Sequence, residues 1–262
     1  MTTFLARLAA EPAVLVSVRD AQGSVPREPG AWMAVFATGI VGTIGGGRLE
    51  FEAIDEARAV LRGAPLPPVR RYALGPSLGQ CCGGVVHLAF ELVSAGDLPA
   101  LRARLGTGLR PLALFGGGHV GQALINVLGN LPFTVRWIDS RDEVFPGELP
   151  VNVECEHSDP VQAAVRELPA GSSVIIMSFS HAEDLDVVAA CLQRLRERDD
   201  LPFIGLIGSK TKWATFRHRL ESRGFGEAEL ARVTCPIGME GISGKEPEVI
   251  AVAVAAQLLL RV

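Results

Sequence analysis

The sequence predicts an α/β protein: a Rossmann-like parallel sheet domain preceded by a smaller α/β domain. Three observations predict it. Residues 112–139 run strand, glycine turn, helix, strand and acid in succession. The chain before them alternates short β-rich runs with one amphipathic helical stretch, and the chain after them continues with apolar strand runs separated by helical periods. At 262 residues there is material for two modest domains, each with a real core. The expected division is an N-terminal domain over 1–94, a linker over 95–109 and the Rossmann-like domain over 110–262.

Residues 4–10 read as a short helix and 13–19 as a strand. GSVPREPG, residues 23–30, holds two prolines and two glycines and therefore turns. It is either a plain hairpin loop or a loop presenting Ser24 and Arg27 to a ligand. Residues 32–37 and 40–44 make a hairpin joined at Thr38 and Gly39, and its second strand runs into Gly45, Gly46 and Gly47. Leu49, Ile54, Ala57 and Leu61 then share one helical face. A glycine triplet between a strand and a helix start is either close packing or an anion nest, with Arg48 as counter-charge. A strand follows at 69–74.

GPSLGQCCGG, residues 75–84, precedes a strand over 85–93. In extended backbone the side chains of Cys81 and Cys82 point to opposite faces, so they cannot together clasp one metal, and no further Cys or His stands at zinc-site spacing. A disulfide between neighbours would be strained. Two readings remain: small buried apolar side chains, or a thiol on a glycine-rich loop beside free backbone N–H groups, a setting that favours thiolate. Residues 95–109 lose the strand pattern and contain Gly96, Pro99, Gly106 and Gly108, with a short helix over 98–105.

In the fingerprint, Gly116 permits a tight turn, Gly118 lets the backbone approach a pyrophosphate and Gly121 allows close helix packing. Asp139, about 20 residues on, stands where an acid binds a ribose. A buried strand over 172–179 delivers His181, Asp184 and Asp186 to its carboxyl end, where ligands of parallel sheets lie. Either aspartate can instead cap the next helix. His181, as a histidine, can serve as ligand, acid or base. After a strand at 203–207, Lys210 and Lys212 oppose the dipole of the helix they begin, which suits a phosphate, an acidic partner or plain solvation. A dense apolar helix after Pro247 is core or a dimer face, and a homodimer is expected.

A net charge of −4 with no basic stripe argues against a nucleic-acid partner. No apolar run reaches the roughly 18 residues of a spanning helix, so no membrane is expected. MTTFLARLAAEPAV is too short and interrupted for a signal peptide, and the expected location is the cytoplasm. Five cysteines, two of them adjacent, do not form a disulfide framework.

GSVPREPGAWMAV, GTIGGGRLE, GQCCGG, GGGHVG with Asp139, GLIGS and CPIGMEGISGKEPEVIAVAVAAQLL together resemble the XdhC/CoxI family, the xanthine dehydrogenase accessory proteins, from about Ala13 onward. The resemblance implies a non-enzymatic chaperone of the molybdenum cofactor (molybdopterin). Such a protein binds the pyranopterin, holds it while its sulfido ligand is installed or protected, and delivers it to a xanthine dehydrogenase-type apoenzyme. A sulfur-donating desulfurase is a further expected partner. Carried onto this chain, the cofactor positions are Gln80, Cys81 and Cys82, with the two cysteines as metal contacts, together with Gly116, Gly118 and Gly121. Asp139 and His181 complete the candidate set, and the turn leaves room for a nucleotide or NAD(P). The other reading is an NAD(P)-dependent oxidoreductase, supported by the fingerprint, Asp139 and Arg141, which would accommodate a 2′-phosphate. That reading lacks a catalytic constellation: Tyr72 is the single tyrosine and no Tyr-x-x-x-Lys pair occurs.

Overall fold

Strands whose residues are apolar on both faces need cover on both sides, and AVLVSV at the start of the first strand dictates the architecture of the N-terminal half. The computed structural model describes residues 2–74, 83–105, 108–150 and 152–261 and divides into two units, Met1–Thr107 and Gly108–Val262. The first unit contains α1 (Thr2–Leu8), β1 (Ala13–Gln22), β2 (Trp32–Phe36), β3 (Gly39–Gly42), α2 (Gly47–Leu61), β4 (Arg70–Ala73), β5 (Val85–Val93) and α3 (Leu98–Leu105). Its strands form an antiparallel sheet in the order β3-β2-β1-β5-β4. Val14, Val16, Val18, Met33, Val35 and Leu88 pack on Leu49, Ala53 and Ala57 of α2. The alternate residues, Ala13, Leu15, Ala34, Phe36 and Val93, pack on α1 and α3.

The stretch expected as a linker is therefore largely part of this core. Leu101 is buried, and Leu98 and Leu105 close over Phe4, Leu5 and Leu8. Leu98, Leu101 and Leu105 recur at helical spacing, so the apolar face was present in the sequence; glycine and proline at its flanks masked it.

The second unit is a parallel sheet with helices on both faces: β6 (Arg110–Phe115), α4 (His119–Leu128), β7 (Phe133–Asp139), β8 (Val153–His157), β9 (Ser173–Ile176), α5 (His181–Arg198), β10 (Phe203–Leu206), α6 (Lys210–Ser222), α7 (Glu227–Leu230), β11 (Val233–Thr234) and α8 (Pro247–Leu259). The order β11-β10-β9-β6-β7-β8 is the doubly wound one, with the chain reversing direction across the sheet between β6 and β9. On one face Val187, Val188, Cys191 and Leu192 of α5 and Phe216 and Leu220 of α6 cover Ala113, Phe115, Val174 and Ile176. On the other, Leu124 and Leu128 of α4 and Ala251, Val254 and Leu258 of α8 cover Leu112, Leu114 and Val135. Two strands, β8 and β11, carry no clear signal, both lying at the sheet edges. Between β8 and β9 the crossover is a 3-10 stretch, Val161–Glu167, bracketed by Pro160 and Pro169.

If α3 belongs to the first unit's core, truncating it must unfold more than a connector. Leu101→Ala is expected to cost about 3 kcal/mol, read by urea unfolding, where a linker substitution would be neutral.

Candidate functional site

The apolar run of β6 ends at Gly116, whose φ of 121° suits glycine and whose added Cβ would lie 2.0 Å from the Met177 carbonyl oxygen. Trp137 Nε1 donates to the Gly116 carbonyl at 2.9 Å. A Cβ on Gly121 would meet that same Gly116 oxygen at 2.2 Å, so α4 sits directly against the turn. Gly118 differs: its backbone is extended and nothing lies within 4 Å of an added Cβ. Two of the three fingerprint glycines are thus demanded by packing, while the third is open. The turn lies at the carboxyl ends of β6 and β9, where a crevice forms in open parallel sheets.

Asp139, at the end of β7, is 1% exposed. One of its carboxylate oxygens accepts from the Gly117 N–H at 2.6 Å and from Arg141 Nη2 at 3.0 Å; the other accepts from the Arg141 N–H and Nε, each at 2.9 Å. Burial pushes this carboxyl up, but the bonds from Arg141 and Gly117 together outweigh it, and its pKa lies below the ordinary value. Val144 closes over the turn, leaving no room for a side chain at 117. The Arg141 guanidinium lies 4.2 Å from the ring centroid of Phe179, a largely exposed residue. The acid expected to hold a ribose hydroxyl therefore has both oxygens engaged within the chain.

His181 is the first residue of α5, exposed and edge-on to Phe216 at 6.2 Å. It takes no part in the Asp139 bonds. The cap of α5 is neither aspartate considered from sequence but Ser180, whose hydroxyl accepts from the Glu183 N–H at 3.2 Å. Asp184 turns inward instead. It accepts from the Ser178 N–H at 2.7 Å and from Lys212 Nζ at 2.6 Å, and that ammonium also reaches the Ile207 carbonyl at 2.8 Å. Lys212 is thus neither free nor solvated. Burial raises the Asp184 carboxyl despite Lys212. Nearby, Ser178 Oγ and Glu183 Oε2 are buried with no hydrogen-bond partner, an exception that calls for a polar guest or water. Burial also pushes the Cys235 thiol up to about 11, so it is protonated at neutrality.

In the first unit the glycine triplet is already a filled nest. Glu50 Oε2 accepts from the Ile44 and Gly46 N–H groups at 3.0 and 3.1 Å and from Thr43 Oγ1. Arg48 pairs with Glu52 on the helix surface. A Cβ on Gly45 would strike Pro26 at 2.5 Å, and one on Gly84 the Ser24 carbonyl at 2.5 Å, so the loops 23–30, 45–47 and 83–84 converge at one end of the sheet. There the Leu74 N–H donates to the Gly84 carbonyl at 2.8 Å. Gln80, Cys81 and Cys82 lie outside the described residues. The acids Glu50 and Asp139 are a turn or a strand away from the backbone they bind, a relation that sequence spacing does not reveal.

Among the described residues no group of three or more His, Cys, Asp or Glu is arranged to hold a metal ion, and no helix is long and apolar enough to cross a membrane. The stability that Asp139 contributes is complete above its ordinary pKa of 3.8 and is lost as pH falls through its lowered folded value. Asp139→Asn is expected to cost roughly 2 kcal/mol near neutrality. The two proteins should converge in urea unfolding at the lowest pH where both fold.

The family described as the XdhC Rossmann domain matches residues 112–258, and that described as the XdhC and CoxI family matches residues 6–73. The chain is 30% identical to the uncharacterized Escherichia coli (strain K12) protein YqeB over 254 residues, 95% of this chain and 43% of that protein, and so spans less than half the length of that relative. A solved Bacillus halodurans protein described as a xanthine dehydrogenase superposes with a TM-score of 0.74 at 20% identity, over 99% of this chain and 95% of the other. A Shigella flexneri Rossmann-fold NAD(P)-binding family protein aligns with a TM-score of only 0.37, at 18% identity, over 56% of this chain and 85% of its own. With one family match in each unit, the chain belongs to the XdhC/CoxI family.

Proposed function

We propose that this protein is a molybdenum cofactor-binding chaperone that holds and protects the sulfurated cofactor and delivers it to a xanthine dehydrogenase-type molybdoenzyme. The observation that carries this reading is family membership across both units, combined with the sequence GQCCGG, whose Gln80, Cys81 and Cys82 stand between two described ends joined by the Leu74 to Gly84 hydrogen bond. Thiolates are soft donors and suit a sulfur-rich molybdenum centre, so the donor set fits the group. The open flank of Gly118 and the unpartnered Ser178 Oγ and Glu183 Oε2 fit a polar guest at the second unit's crevice. When bound, the cofactor supplies the redox chemistry of the client enzyme. In the first unit Cys81 or Cys82 would meet the metal; in the second, the Gly116, Gly118 and Gly121 turn and His181 are proposed, separately, as contacts for a polar group.

The glycine N–H groups at 46 and 117 are not part of that holding, because Glu50 and Asp139 occupy them. The same bonds count against the NAD(P)-dependent oxidoreductase reading, which needs Asp139 for a ribose. A nucleotide at this turn would have to bind through the first turn of α4 alone. The proposal includes a cytoplasmic location, a desulfurase as sulfur donor and a homodimer. Val252, Leu259 and Leu260 leave an apolar strip of α8 exposed for the dimer, and a monomer by light scattering at every accessible concentration would remove it.

Cys81→Ala or Cys82→Ala should lose co-purified cofactor and client activation with little change in melting temperature. Cofactor retained in both variants rejects the thiolate role, whereas a collapse in stability marks the cysteines as core. Gly118→Val, tolerated by the fold because its position is open and extended, should weaken ligand binding. Unchanged affinity would mean that the turn is structural.

A further inference from the structure

The sheet of the first unit has one face that its helices cover only in part. On that face three rows of side chains cross the strands: Val93, Ala13 and Phe36; Glu91, Leu15 and Ala34; and Ala89, Ser17 and Trp32. α1 and α3 cover the first two rows. The third lies open, and with Arg19 it borders a cavity of about 640 Å³ walled by Leu105 and the Arg104–Glu91 ion pair. A second cavity, of about 630 Å³, lies on the side of loop 23–30 and is lined by Arg27, Glu28 and Thr43; Gly30 and Trp32 border both.

Trp32 is half-buried and held from behind by Phe4, with ring centroids 5.2 Å apart. An indole fixed between two cavities is a stacking surface. Arg19 and Arg27 are exposed, and neither has an ion pair or hydrogen bond among the described residues. Arg19 borders the cavity over Ser17 and Ala89 and Arg27 the cavity on the other side of Trp32, and an unpaired guanidinium fork beside an aromatic plane matches a phosphate joined to a flat ring. Ala89 and Ser17 are small enough to leave a floor for that ring, and each cavity has the size of a small-molecule site.

We propose that Trp32, Arg19 and Arg27 form a binding site in the first unit for a planar heterocycle carrying a phosphate. The ring lies against the indole over Ser17 and Ala89, and the phosphate is taken by Arg19 in that cavity, with Arg27 reaching it from the neighbouring cavity past Gly30 and Trp32, which border both. This assigns a ligand role to Arg27 of the GSVPREPG loop, and it places phosphate recognition away from the two glycine loops, whose N–H groups at 46 and 117 bind the chain's own acids. The inference rests on the proposed function only in choosing the pyranopterin as one of its probes.

Calorimetric titration of the full chain tests it with three probes: adenosine 5′-monophosphate, the pyranopterin monophosphate released from a denatured molybdoenzyme, and 6-hydroxymethylpterin, which has no phosphate. Arg19→Gln and Arg27→Gln, both at exposed positions, should each weaken the phosphate-bearing probe that binds by about tenfold and leave the phosphate-free pterin unaffected. Trp32→Leu should weaken every probe that binds, and Trp32→Phe should restore it. Because Trp32 also packs on Phe4, Ala89→Phe serves as a second block that fills the floor from β5. Phosphate-bearing probes bound as tightly by both arginine variants and by Ala89→Phe as by the wild type overturn the site, as does failure of the wild type to bind any of the three. Binding of adenosine monophosphate alone, with the predicted sensitivities, keeps this site and removes the cofactor proposal. Pyranopterin binding insensitive to these substitutions but lost in Cys81→Ala or Cys82→Ala keeps the cofactor proposal and removes this site.

Discussion

The carboxyl-end side of the second unit's sheet depends on one buried carboxylate. Asp139 reaches back from the end of β7 to the Gly117 N–H, and Arg141 closes on it with both its backbone and its guanidinium. A charge so deeply placed is tolerated only because each oxygen has two donors. That arrangement sets the path of the chain from β7 into the next turn, brings Val144 over the glycines and draws Arg141 onto Phe179. The crevice between β6 and β9 therefore has a wall built by a side chain that the fold class alone would assign to the ligand.

The first unit reaches the same solution with different parts. Glu50, one turn into α2, returns its carboxylate to the N–H groups at the end of the preceding loop. A helix start that carries its own anion gains the favourable interaction with the helix dipole permanently. In both units, glycine loops with the geometry of anion nests hold carboxylates of the same chain. The unpaired cations lie elsewhere, Arg19 and Arg27 among them, beside cavities that the sheet's helices leave open.

Much of the fold was legible in the sequence because period-two and helical patterns are local. The strand over 85–93 and the helix over 98–105 have the bounds expected, and the strand-glycine-helix-strand-acid unit stands where its spacing placed it. The affiliation of α3 was hidden because glycine and proline look like a linker even when the helix between them has an apolar face. The site was less legible. Asp139 stands where the fingerprint puts it, but its partners are chosen by the rotation of one side chain, which no spacing encodes. Lys212 and Asp184 were each noticed for a position in a helix's first turn, and their pairing, between residues 28 apart in the chain, joins two strand exits. Trp32 gave no signal beyond that of a strand residue, since its partial exposure depends on packing against Phe4 of α1, which no local pattern encodes.

The hydrogen bond between Leu74 and Gly84 separates two kinds of selection. It joins the two described ends of the segment that carries Gln80, Cys81 and Cys82, and Gly84 packs without a side chain against Gln22 and Ser24, so the span between those ends is set by the sheet. Doubling the number of residues between two fixed anchors adds only about 0.6 kcal/mol of closure entropy. Insertion between these anchors is therefore thermodynamically cheap, whereas any side chain at Gly84 would strike the Gln22 and Ser24 carbonyls, so length is free to vary where the anchor is not.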